Sequence, residues 1–590
     1  MLIVIVLFEV NSRELLERHF ETQVAYWDEI ACAYVKEATM NQSEGQGLVS
    51  VNDIYLVPGQ SLANQKQLGF RPRSDAQPWP LSLPLDWGAD PFSDPNWQFQ
   101  LHAWRMQDPV LREWVETKDN DLLEQAFLFI EDWYDYHLGG SPQSSRFSWD
   151  DMATGIRSLR LALFVDLINR KILSVTSGQL TKLHKLVDEH ARYLRNPNFI
   201  TLGNHGLFQV FGLNLLCKAA HDRESCRGGE QFAREMFRKV LSTQYTDEGI
   251  HREHSPEYHL FVTKILKDLG ASRQFNDEQI SNLISLAETN LPWLAFPDGS
   301  LARIGDTAAK TTPLSEAEVK EKIKLQDRDV SFCLADFSRS GYAVVRTLPG
   351  VPKDKESMLF FAGMSNSHIH KHADDLTFEL YEFGRFLLVD SGKYGYTLNE
   401  RRDYIVSRLA HNTIALAETT IKPSNVPKIG SSIRQIAVKD RFFVLNGEID
   451  ISGFFKQSRT ILYNPGEFLV IRDNVIATRE REIISSLHLA PDLAPSLINS
   501  SVSIRANDRT FRINLLTEPH RVTIEDGWVA TGYLQGTPSK VVRTRTHGKR
   551  ATLSWIVSLT DLSFPAALRA LDSIRPETET VHVAETGTAT

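Results

Sequence analysis

The chain has 590 residues, a net charge of −9 and 42% hydrophobic content. A chain of this length exceeds what one hydrophobic core usually organises, so two or more domains are expected. The acidic balance, 65 Lys and Arg against 74 Asp and Glu, argues against a general nucleic-acid-binding surface but leaves room for an anionic substrate in a local basic groove.

In chain order, Met1–Phe8 is apolar, short and followed at once by Glu9. It lacks a basic leader and a small-residue cleavage site, so it reads as a strand rather than a signal peptide. Taken literally this places the protein in the cytoplasm. A misassigned start is the alternative, with export to the periplasm or medium. No stretch is long enough to span a bilayer. Residues 1–75 form an extension with an extended segment around Val51–Val57, and a Pro/Trp/Asp-rich connector runs from Pro78 to Trp97. Over 76–328 the apolar period is helical. Leu122, Leu123, Ala126, Phe127, Ile130, Trp133, Tyr134 and His137 fall at i, i+3, i+4, i+7 spacing. Further helices are predicted at 98–116, 155–170, 180–194, 205–220, 230–243, 257–269 and 276–291. Many short-linked helices predict a bundle or an α/α toroid. From 329 to 575 the period becomes two, with strands at Tyr342–Arg346, Met358–Phe361, Leu376–Leu380, Phe386–Val389, Phe442–Leu445, Phe468–Ile471 and Thr552–Ile556. This predicts an antiparallel β-sandwich, with 576–590 as a frayed tail. Four cysteines, Cys32, Cys217, Cys226 and Cys333, contain no C-x-x-C pair and support neither a disulfide framework nor a cysteine zinc site.

Three constellations carry chemistry. Gly203-Asn204-His205-Gly206 opens a predicted helix, where the plainer reading is a capping asparagine and a turn glycine. His251-Arg252-Glu253-His254-Ser255-Pro256-Glu257-Tyr258-His259 heads another helix. It lacks the H-E-x-x-H spacing of a metalloprotease, and its tyrosine beside arginine and histidine can serve as a proton carrier. In Ser367-His368-Ile369-His370-Lys371-His372-Ala373-Asp374-Asp375 the alternation predicts a strand with His368, His370 and His372 on one face. His372 with Asp390 and His411 can ligate one metal. The alternative is a His–Asp pair that only positions the loop.

Taken together, Asn-His-Gly, H-R-E-H-S-P-E-Y-H, H-x-H-A-D, Leu387-Leu-Val-Asp390-Ser-Gly392 and Ala410-His411-Asn412-Thr413 resemble the heparinase II/III superfamily of polysaccharide lyases. Smaller matches include Trp97–His102, Phe296–Ser300 with Ile304-Gly305-Asp306, Gly341–Arg346 and Leu487–Pro491. The resemblance implies an incomplete α/α toroid followed by an antiparallel β-sandwich, and β-elimination on a uronic-acid polysaccharide. It implies Asn204 and His205 as groups that neutralise the C5 carboxylate, and Tyr258 as acid. The base would be Tyr258, His205 or His370. It also implies one structural divalent ion, zinc by preference, on His372, Asp390 and His411. Arg252, His254, Arg303, Arg402, Tyr404 and Arg408 become candidates for holding substrate. The expected partner is an acidic polysaccharide, with no nucleic acid or membrane. Two other classes remain open. One is a glycoside hydrolase using paired carboxylates such as Asp150-Asp151 or Asp247-Glu248. The other is a non-catalytic glycan-binding protein.

Overall fold

The structure is a computed structural model. It describes residues 48–57, 59–73, 76–140, 145–309, 311, 322–325, 330–395, 399–439, 441–498, 501–506, 509–516, 521–532 and 534–574. The predicted strand at Met1–Phe8 and the tail at 576–590 lie outside these residues. The chain packs as two compact units. The first runs to Asp247 and resumes at Phe261–Leu286; the second comprises Glu248–Leu260 and everything from Ala287 onward.

The first unit is helical, and its longer helices follow the predicted periodicity. Asp121–Leu138 buries Leu122, Leu123, Ala126, Phe127, Ile130, Trp133 and His137, the expected stripe apart from Tyr134, which is half-buried. Ser177–Leu194 starts at a capping box, in which the Thr176 hydroxyl accepts from Gln179 N and the Gln179 side chain accepts from Thr176 N. The predicted helix at 98–116 is two, Pro95–His102 and Gln107–Thr117. Trp104 at φ +57° breaks the run. The extended segment expected around Val51–Val57 begins instead as a 3-10 turn, Val51–Asp53, because Ser50 and Asp53 form a capping box. The central pair of helices, Asp151–Asn169 and Asn204–Ala219, is apolar on nearly every face. Their backbones touch. A Cβ on Gly155 would lie 2.5 Å from Phe208 C and 2.6 Å from Gln209 N, and one on Gly212 would lie 2.4 Å from Gly155 O. Only glycine permits that approach.

The second unit is built on two large antiparallel sheets. A 6-stranded sheet runs in the order Lys322–Ile323, Phe332–Phe337, Tyr342–Thr347, Ser357–Ala362, Thr377–Glu382, Arg385–Leu388. A 10-stranded sheet is centred on the long strands Phe468–His488 and Gln535–Ser558. Leu334, Val345, Phe361 and Leu380 of the first sheet share one core with Leu445, Ile461, Ile471 and Val557 of the second, so the two sheets form a sandwich. The alternate residues Cys333, Ala335, Val344 and Phe360 face the other way. They pack against Ile250, Trp293, Phe296 and Ile304. The smaller sheet is thus covered on both faces, which explains why its strands are apolar almost throughout. The segment around Ile250, distant in sequence, supplies part of that second cover.

Candidate functional site

The site in the second unit is organised by Glu248–Leu260. His254 is buried at 1% exposure. Its Nδ1 lies 3.0 Å from Ile369 O, and its Nε2 accepts from Asn366 N at 2.8 Å and Ser367 N at 3.3 Å. This pattern requires the neutral ring with the proton on Nδ1. Burial and the Lys371 ammonium push its pKa down to about 3, consistent with that state. His254 therefore holds backbone, and its ring nitrogens are not turned to a substrate as the sequence had suggested. His259 is similar: Nδ1 accepts from His251 N at 3.1 Å and Nε2 lies 2.8 Å from Ala287 O. Ser255 Oγ donates to Asp306 O at 3.0 Å, and Glu257 accepts from Ala308 N at 2.8 Å.

These contacts shape the histidine run into a loop, which corrects the expected strand. The hydrogen bonds that a neighbouring strand would make at Asn366–Ile369 are made by the His254 ring. His370 has φ +53° and Leu376 +63°, values incompatible with a continuous strand. His368 is exposed, while His370 and His372 are buried at 7% and 0% exposure. Both buried rings converge on Asp306: His370 Nδ1 at 3.3 Å from Oδ2 and His372 Nε2 at 3.0 Å from Oδ1. Arg402 donates to both oxygens of the same carboxylate. Burial opposes ionisation of Asp306. Arg402 and the two imidazoles outweigh it and hold the carboxyl well below its usual range. Gly305 beside it has φ +54°, and a Cβ there would meet His254 O and His370 O at 2.6 Å. Asp306 was absent from the candidate residues, although Ile304-Gly305-Asp306 was among the motif matches.

The Tyr258 ring stacks on His370, centroids 3.7 Å apart and planes 20° apart. The Lys393 ammonium sits 5.8 Å from the Tyr258 ring centre. His370 Nε2 faces Glu253 Oε2 at 3.7 Å. Tyr258 and His370, 112 positions apart by their numbers, therefore share one site within this unit.

The other candidates divide. Arg408 is 2% exposed and donates to Ile414 O, Ala373 O, Asp375 O, Thr413 Oγ1 and Gln457 Oε1; it braces the loop rather than a ligand. Arg402 is committed to Asp306. Arg252 and Arg303 are half-buried. Arg252 lies 3.4 Å from Asn366 Oδ1, and Arg303 stands 5.3 Å over the Phe386 ring. Arg303 lines a cavity of about 290 Å³ with Asp298, Lys353, Arg385 and Asp492. The Tyr404 hydroxyl is buried, which raises its pKa.

For the expected metal residues, His411 Nδ1 lies 2.8 and 3.0 Å from the two Asp390 oxygens, and Asp390 also accepts from Thr377 Oγ1 at 2.9 Å. The His372 and His411 rings are 5.4 Å apart. Among the described residues, His372 Nδ1 and His411 Nε2 are buried without a hydrogen-bond partner. Each ring thus has a carboxylate behind one nitrogen and the other nitrogen bare, the arrangement of a metal-ligating histidine with its outer carboxylate. Asp390 stands behind His411 instead of beside it. Among the described residues no three His, Cys, Asp or Glu side chains converge to hold an ion. The two imidazoles fit a zinc-type ion; the third expected ligand does not in this arrangement.

In the first unit, Asn204 is the first residue of its helix and Gly203 holds the cap position without a side-chain bond. Asn204 is therefore not the capping residue. Its Oδ1 is buried and has no hydrogen-bond partner among the described residues. His205 follows, half-buried, with Nδ1 3.0 Å from Asp151 Oδ1. A Cβ on Gly206 would lie 1.9 Å from Thr201 O, so the third residue of Asn-His-Gly is required by backbone contact.

Residues 63–327 match the family described as Heparinase II/III N-terminus, and 330–559 match Heparinase II/III-like, C-terminal. The chain belongs to the heparinase II/III family. It is 21% identical over 509 residues to a heparin-sulfate lyase of Bacteroides stercoris, covering 76% of this chain and 73% of that protein. A heparin-sulfate lyase of Pedobacter heparinus is 23% identical over 380 residues, covering 59% of this chain and 56% of that one. Among solved structures, the heparan sulfate lyase of Pedobacter heparinus superposes with TM-score 0.65 at 16% identity, covering 90% of this chain and 87% of that chain. A heparinase III does so with TM-score 0.67 at 18% identity, covering 87% and 86%. The shared fold is the α/α toroid followed by an antiparallel β-sandwich.

Proposed function

We propose that this heparinase II/III-family protein is a polysaccharide lyase that cleaves a uronate-containing polysaccharide by β-elimination. The observation that carries the reading is the Tyr258–His370 stack, with His370 fixed by Asp306. A base takes the C5 proton, and the electron pair passes into the carboxylate as an enolate. It then forms the C4–C5 double bond as the C4–O4 bond breaks, and an acid protonates O4. Tyr258 supplies that acid, and also the base where proton and leaving group lie on the same side. With Nδ1 directed at Asp306, His370 is assigned as the base through Nε2, on the side of Glu253. Lys393 stabilises negative charge that develops on the phenol. Asn204 and His205 are assigned to the substrate carboxylate, whose neutralisation makes the C5 proton removable. Arg252 and Arg303 are assigned to substrate carboxylate or sulfate groups.

The relatives named as heparin-sulfate lyases make a glycosaminoglycan the first substrate class to try. A divalent ion on His372 and His411, beside Asp390, would brace the loop that carries His370 and take no part in proton transfer. Nothing in the site favours the hydrolase reading: Asp150 and Asp151 are neighbours at one helix start, and Glu248 is bound to Ser340 and Arg339. The test is ultraviolet detection of unsaturated uronate across a panel of uronic-acid polysaccharides, comparing wild type with Tyr258→Phe. The variant should keep its melting temperature and lose about two orders of magnitude in kcat. Near-wild-type turnover would end the assignment.

A further inference from the structure

We propose that Asp151 is a positioning residue for His205: it fixes the ring and its tautomer, so that Nε2 is the atom His205 presents to substrate. The inference rests on the lyase reading above for the role of His205, and on its own geometry for the rest.

The geometry begins with two glycines. Gly155 and Gly212 let the helices Asp151–Asn169 and Asn204–Ala219 approach to backbone contact, with Gly155 against Phe208 and Gln209. One helical turn toward the N-terminus from Gly155 is Asp151; one turn from Gln209 is His205. The crossing therefore delivers the two side chains to the same place, and His205 Nδ1 lies 3.0 Å from Asp151 Oδ1. Both are partly exposed, at 20% and 23% of their side-chain area. The adjacent Asp150 has a different job: its carboxylate accepts from Ala153 N at 3.0 Å and caps the helix. Asp150 is thus turned to the helix backbone, and Asp151 is the carboxylate that faces the imidazole. An ionised carboxylate accepts only, so Nδ1 must carry a proton. In neutral His205 the unprotonated nitrogen is then Nε2, and protonated His205 has an Nε2–H that can donate to a substrate carboxylate. Without Asp151, the proton of the neutral ring is free to move to Nε2 and the ring to turn.

Asp151→Asn keeps the shape and removes the charge. In the first measurement, ¹⁵N shifts of labelled histidine are read in the full-length protein, with His205 assigned from His205→Gln. They should show Nδ1–H in wild type and a mixed or reversed tautomer in Asp151→Asn. In the second, Asp151→Asn should lower kcat about 10- to 100-fold with a smaller change in KM and a displaced pH profile. Asp151→Glu should recover part of the loss. In a His205→Ala background, Asp151→Asn should cost little more, because the residue acts through that ring. An unchanged tautomer, or an equal loss with and without His205, overturns the proposal. A wild type that yields no unsaturated uronate on any substrate overturns the lyase reading instead, and the tautomer measurement still decides the pairing.

Discussion

The residues that set the local chemistry are the ones that fix histidines. Asp306 holds His370 and His372, Asp390 holds His411, Asp151 holds His205, and main-chain groups hold His254 and His259. Two of these rings have a measurable consequence. His254 and His259 are neutral in the fold because burial drives them to about 3 and about 4. Unfolded, they titrate near 6.5. Above that pH neither state binds the proton and the pair costs nothing. Below it the unfolded chain gains protons that the folded chain refuses, so stability falls by up to about 1.4 kcal/mol per pH unit for each ring. The loss continues until the folded values are reached. Melting temperature should therefore decline between pH 6.5 and 5. His254→Gln, less stable at pH 8, should decline less over the same range; parallel curves would mean that His254 is not the source. The histidine run also shows where reading from sequence stops. Its alternation matched a strand, but the partners that bend it are 112 residues away at His254 and 64 away at Asp306. No local pattern reports such partners. Tyr258 and His370, which the fold stacks together, could be singled out because each stands in a short motif.

At the scale of elements, helices read well and their crossings did not. Periodicity located most of the stripe of Asp121–Leu138 and the C-terminal end of Ser177–Leu194, since burial of one face imposes the pattern directly; the start of the latter, set by the Thr176 cap, lies before the predicted 180. The helices Asp151–Asn169 and Asn204–Ala219 are buried on nearly all faces, so their partner was invisible in the pattern; the signal was Gly155 and Gly212. Gly155→Ala puts a methyl group 2.5 Å from Phe208 C, in a core with no space for it. The expected cost is about 1–3 kcal/mol, as for other overpacked cores. Urea denaturation should show a lower midpoint at unchanged m, and an unchanged midpoint would mean that the backbone contact is not close. In the β unit, elemental analysis of protein purified without chelator should find about one equivalent of a divalent metal. His372→Ala should lose it and lower the melting temperature. Metal-free protein with full activity would remove the ion from the proposal.

For the whole molecule, the notable fact is that the division in sequence and the division in space differ. Among the described residues the helices before the sheets end at Leu294 and the strands begin at Lys322, yet Glu248–Leu260 packs with the β unit. A fragment beginning at Ala287 should be poorly stable, because Ile250, His254, Ser255 and Glu257 leave the surfaces they cover. A synthetic peptide spanning 248–260 should raise its melting temperature in a concentration-dependent way, as any ligand of the folded state does. No shift at millimolar peptide would show that the segment is dispensable to that fold. The same insertion bears on heredity. A crossover between two relatives near residue 328 would combine a tyrosine segment from one parent with a histidine loop from the other. Their hydrogen bonds would have been selected apart. Offspring of such an exchange should survive only where both parents agree along the His254–Ile369 and Asp306–His370 contacts. A viable swap must carry three pieces of gene together: the 248–260 segment, the Gly305-Asp306 turn and the histidine loop.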